Sequence, residues 1–171
     1  QSRSSAASDV YKRQLQEVLN PIIDLNPRVT SHHEMVALNA LAAVASGNIL
    51  EIGSYLCYSS VIMATAFKHD RHRKLYAIDP LDRQLGWKNN SSDDWIFKTY
   101  SQHDYAKKII SDFGLEGRIN LKIGKSTNFV SDLTVKTNIG MMFIDGDHSE
   151  QAVTSDLNNF ASCLNSGGFL I

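Results

Sequence analysis

The feature that most constrains this chain is a pair of apolar runs that each end on an acidic residue and turn at glycine. They are Ile49-Leu50-Glu51-Ile52-Gly53-Ser54-Tyr55 and Met142-Phe143-Ile144-Asp145-Gly146-Asp147-His148. A run that is apolar at nearly every position is buried on both faces, which is the pattern of a central parallel strand. Ligands of an open α/β sheet sit outside the carboxyl ends of such strands, where helix N-termini also point. Both runs therefore aim polar groups at one sheet edge. The second places two carboxylates and an imidazole within four residues.

Between and around these runs, strands alternate with helical patterns, which is the signature of βαβ units. Ser31 and Glu34 form a capping box opening a helix that Gly47 stops. Strands are expected at 48–52, 74–79, 118–123 and 139–145, with a last one beginning after Gly168. Helices are expected at about 58–68, 95–113, 126–133 and 149–164. The fold class is thus α/β, a doubly wound and mostly parallel sheet. Residues 1–14 resemble translated adapter sequence and are excluded from the fold; 15–47 form a helical segment, and 48–171 the main domain. Ser166-Gly167-Gly168-Phe169-Leu170-Ile171 reads as a turn entering a fifth strand that is cut short, so the chain is expected to be a fragment.

Composition narrows the function classes. With 171 residues, 43% of them hydrophobic, 20% charged and a net charge of −1, the chain is an ordinary globular domain with no bias toward nucleic acid. The basic run Lys68–Lys74 reads as a solvated connector, with anion steering as the alternative. No apolar run approaches the roughly 20 residues of a membrane helix. Cys57 and Cys163 are too few and too scattered for a disulfide framework or a zinc site, so a reducing cytoplasm is the expected compartment. A homo-oligomer is left open.

At the first run, a nicotinamide fingerprint would need G-x-G-x-x-G. Position 55 is Tyr and position 57 is Cys, so that fingerprint fails. Asp79, ending the second strand, offers two oxygens to a vicinal diol such as a ribose. At the second run, His148 is placed to take a proton from a hydroxyl nucleophile. A carboxylate there suits a hard cation.

From Glu34 to Ile171 the chain resembles the class I S-adenosylmethionine-dependent methyltransferases, in the branch of sugar and antibiotic O-methyltransferases and cephalosporin-hydroxylase-like proteins. The resemblance rests on EIGSYLCYSS (51–60), YAIDP (76–80), IGKS (123–126), FIDGDHSEQAV (143–153) and GGFLI (167–171). It implies that Glu51 and Gly53 shape the loop around the methionine moiety, with contacts from Ser54 and Tyr55. Asp79 would hold the ribose and Ser126 would lie near the adenine. Asp145 would be a metal ligand, with Mg²⁺ the expected ion, and His148 the catalytic base. The partner would be a small hydroxylated methyl acceptor. Cys57 stands where the family usually has a second glycine.

Plainer readings stand beside these. Glu51 and Asp79 would cap the following helices, and Ser126 and Asp147 would be helix caps. His148 would pack at a helix N-terminus, His32 and His33 would lie at the surface, and Met141 and Met142 in the core. Trp87 and Trp95 would be loop packing or part of a substrate lid. The rival functions are a nicotinamide-linked oxidoreductase and a non-catalytic nucleotide-binding domain.

Overall fold

β1 (Asn48–Ile52), β2 (Leu75–Asp79), β3 (Ile119–Ile123), β4 (Ile139–Ile144) and β5 (Leu164–Leu170) form one sheet in the order β3-β2-β1-β4-β5. All neighbouring pairs are parallel. This computed structural model describes Pro21 and residues 31–88 and 94–171, apart from the side chains of His32 and Leu133. The strand order reverses between β1 and β4, and the crevice at such a reversal is where α/β sheets bind ligands.

The central strands β1 and β4 read as nearly continuous apolar runs because successive side chains enter different cores. Ile49, Ala77 and Met141 pack on one face with residues of α1 (His32–Val44), α2 (Tyr58–Thr65) and α3 (Gln102–Asp112). Leu50, Ile78 and Met142 pack on the other with Val135 of α4 (Leu133–Lys136) and Phe160 of α5 (Glu150–Phe160). The doubly wound α/β fold class expected from the alternation is the one observed. Among the described residues, no helix is long and apolar enough to cross a membrane.

Local chemistry sets the element limits. Ser31 and Glu34 form the expected capping box of α1. Gly47, at φ +104°, lies so near the following strands that a Cβ there would meet the Asn138 carbonyl at 2.4 Å. Arg73, from the basic run, donates to the carbonyls of Gly47 at 2.6 Å and Ala42 at 2.9 Å. It thereby satisfies the end of α1, as a cation at a helix C-terminus should.

Several helices are shorter than their sequence patterns. Ser101 caps α3 by accepting from the Asp104 N–H, so the helix starts there rather than at 95, and a 3-10 turn at Ile96–Lys98 precedes it. Asp132 likewise restarts the chain as α4 after a 3-10 turn at Ser126–Phe129, splitting the helix expected over 126–133. α2 ends at Thr65, and α5 gives way to a 3-10 turn at Ala161–Cys163. Ser166-Gly167-Gly168 is an excursion inside β5: Ile139 pairs with Leu164, yet Met141 pairs with Phe169. The expectations for 1–14, for most of 15–30 and for 89–93 lie outside the described residues.

Candidate active site

Four strand ends converge on a cleft of about 770 Å³. Gly53 and Tyr55 come from the end of β1, Asp79 and Arg83 from β2, Ser126 from β3, and Asp145 and His148 from β4. Ile52 and Ile78 give it an apolar floor, and Asp156 of α5 closes one side. Of the residues singled out in the sequence, Gly53, Tyr55, Asp79, Ser126, Asp145 and His148 line this cleft. Glu51 and Ser54 are buried and do not form part of its wall.

Gly53 has φ +89°, and a Cβ on it would meet the Asp145 carbonyl oxygen and Gly146 Cα at 2.4 Å. The close approach that needs glycine here is between the β1 loop and the β4 turn. Tyr55 and Cys57 are also left-handed, at φ 47° and 63°. Cys57 thus occupies a conformation that glycine takes without cost and other residues take at roughly 1–2 kcal/mol. It is fully buried, and burial pushes its thiol up to about 12, so it is no nucleophile. Below this loop, Glu51 accepts from Ser59 Oγ at 2.5 Å and from Ser60 Oγ, both in the first turn of α2. Burial pushes the Glu51 carboxyl up to about 7; the two hydroxyls hold it down in part, and the charges of Asp145 and Asp79 raise it further.

Asp79 is the hub of the β2 end. One carboxylate oxygen accepts from the Tyr55 N–H at 2.9 Å; the other accepts from the Leu81 N–H at 2.8 Å and Gln102 Nε2 at 3.3 Å. A carboxylate has about four lone-pair sites, so the carboxylate is fixed in orientation and still has acceptor capacity. Gln102 has no exposed surface. Its Nε2 also donates to the Tyr55 carbonyl at 2.9 Å, its N–H donates to the Arg83 carbonyl at 2.9 Å, and its Oε1 accepts from the Arg83 N–H at 3.3 Å. The Arg83 guanidinium lies over the rings of Tyr55, at 4.7 Å, and Trp87, at 4.6 Å. Trp87 packs edge-on against buried Phe97 at 5.1 Å. Neither Gln102 nor Arg83 carries a sequence signal, because both act through a loop whose path is not encoded in any local pattern.

Ser126 donates to buried Asp156 at 2.5 Å, tying the β3 loop to α5. Asp156 was not foreseen either. At the β4 turn, His148 is 82% exposed and its Nε2 lies 3.6 Å from Asp145 Oδ1. Partial burial pushes the Asp145 carboxyl up, and His148 offsets this in part. Asp147 accepts from the Ser149 N–H at 2.9 Å, and that bond holds it below the ordinary carboxylate range. Ser149 itself caps α5. Among the described residues no three His, Cys, Asp or Glu side chains gather as a metal-binding group. Asp145 is therefore a single hard ligand beside one imidazole, too few donors to hold Mg²⁺ by themselves.

A family model described as a methyltransferase domain matches residues 50–171. No curated protein matches the chain. Among solved structures, a methyltransferase from Geobacter sulfurreducens superposes with a TM-score of 0.63 at 18% identity, covering 96% of this chain and 75% of that one. The O-methyltransferase from Bacillus cereus, in complex with S-adenosylhomocysteine, gives 0.60 at 18%, covering 88% and 61%. TomG of Streptomyces achromogenes, an O-methyltransferase of tomaymycin synthesis solved with S-adenosylmethionine, gives 0.61 at 19%, covering 93% and 67%. At these identities the likeness is one of fold.

Proposed function

The chain belongs to the methyltransferase-domain family, with the class I, S-adenosylmethionine-dependent fold, and we propose that it methylates a hydroxyl oxygen of a small molecule, a sugar or a secondary metabolite. The observation that carries this reading is the convergence of Gly53, Asp79, Ser126, Asp145 and His148 on one cleft. The donor set fits the methyl donor. Five carboxylates, from Asp79, Asp82, Asp145, Asp147 and Asp156, face the cleft against the two permanent cations Arg83 and Lys125, which suits a ligand carrying a sulfonium and an ammonium. Asp79, with acceptor capacity remaining, would take ribose hydroxyls. Gly53 and Tyr55 would lie along the methionine portion, with Glu51 and Ser54 supporting that loop from beneath, and Ser126 near the adenine.

When bound, S-adenosylmethionine supplies an electrophilic methyl group and departs as S-adenosylhomocysteine. The chain's own task is to make the acceptor hydroxyl nucleophilic. His148, exposed at the rim, can take the hydroxyl proton as the oxygen bonds to carbon, and Asp145 at 3.6 Å stabilises the imidazolium that forms. Both cysteines are free, and we place the protein in a reducing cytoplasm.

The test is methyl transfer from labelled S-adenosylmethionine to a panel of sugars and phenols. His148→Ala should lower turnover by roughly 10²–10⁴-fold and leave S-adenosylhomocysteine affinity unchanged. Full activity in that variant would reduce the β4 turn to a helix cap. A chelator arm tests Mg²⁺ at Asp145: loss of activity restored by Mg²⁺ would support the ion, and a chelator-insensitive rate would remove it.

A further inference from the structure

We propose that Arg83 recognises the amino-acid carboxylate of the methyl donor, an inference that rests on the methyl-donor reading of the cleft. Arg83 follows β2 but reaches back to β1, where its guanidinium lies over the Tyr55 ring as well as over that of Trp87. Stacking uses the faces of a guanidinium and leaves the N–H groups in its plane available. Among the described residues, those N–H groups make no ion pair and no hydrogen bond. The backbone of Arg83 is held on both sides by buried Gln102. A guanidinium held over two rings on the wall of a cleft, with its N–H groups unpaired, suits a planar anion in a paired contact.

Strand order says which anion. Loops leave the sheet in the order β3, β2, β1, β4. A donor with its adenosine across the β3 and β2 ends directs its amino-acid end toward β1, where Arg83 stacks on Tyr55. The donor bears two positive groups and one negative one. A guanidinium at that end repels the positive groups unless the carboxylate faces it. An anion on the acceptor would instead lie toward β4, beside Asp145.

Calorimetric titration with two probes isolates the contact: S-adenosylhomocysteine, and 5′-methylthioadenosine, which lacks the amino-acid carboxylate. Arg83→Gln should weaken S-adenosylhomocysteine about tenfold or more, the range of a charged hydrogen-bond pair, and leave methylthioadenosine within about twofold. Arg83→Lys, which keeps the charge and loses the fork, should fall between. Equal weakening of both probes would reduce Arg83 to a loop strut and overturn the proposal, as would no weakening of either. Failure of the parent protein to bind either probe would overturn the methyl-donor reading itself.

Discussion

Glu51 keeps a carboxyl group with no exposed surface against the hydroxyls of Ser59 and Ser60, and burial pushes it from 4.5 to about 7. Its pKa is raised on folding, so the native state binds the extra proton between those values. The stabilisation is complete below the unfolded value and is lost as pH rises through the folded one. Relative to Glu51→Gln, the parent should lose about 3 kcal/mol between about pH 4.5 and pH 7, at about 1.36 kcal/mol per pKa unit. Urea melts of both proteins at the two pH values measure this. Identical pH slopes would mean that folding leaves the Glu51 pKa unshifted and would contradict the burial argument. The sequence presents Glu51 and Asp79 alike, as acids near strand ends, but the fold separates them. The Glu51 side chain falls on the face covered by α2, whereas Asp79 lies at the cleft edge. That separation depends on which side of the sheet each helix crosses, and no local spacing records it.

At the scale of elements, the β1 loop and the β4 turn behave as one unit, because Gly53 lets their backbones touch. Gly53→Ala would place a Cβ 2.4 Å from the Asp145 carbonyl and Gly146 Cα while holding φ at +89°. Backbone cannot yield as a flexible side chain can, so both loops must move. The variant should lose more than the roughly 1 kcal/mol of an ordinary glycine exchange at positive φ and should lose S-adenosylhomocysteine binding with it. Gly117→Ala is the control, since a Cβ there meets nothing within 4 Å. Matching urea midpoints for the two variants would mean that the β1 loop and the β4 turn do not depend on the absence of a Cβ at Gly53. Strand positions were legible within a residue or so for β1 to β4: β1 and β4, inside the sheet, are apolar at nearly every position, whereas β3 at the edge carries Asn120 and Lys122 between its apolar residues. Helix limits were less so. Ser101 and Asp132 supply new caps inside patterns that read as continuous, and a cap decides where a helix begins.

In the whole molecule, two apolar layers on opposite faces fix five parallel strands, and the reversal between β1 and β4 gathers residues from distant parts of the chain into one cleft. The strand-end acids and glycines announced that edge in the sequence. The groups that finish it, Gln102, Arg83 and Asp156, arrive from helices and a connector whose placement only tertiary packing determines. On the proposed reading, this cleft holds a methyl donor rather than a nicotinamide dinucleotide. Calorimetric titration of the protein with S-adenosylhomocysteine and, separately, with NAD tests it most directly. One S-adenosylhomocysteine should bind per chain, with no heat of binding from NAD. Binding of NAD, or no binding of S-adenosylhomocysteine, would contradict it.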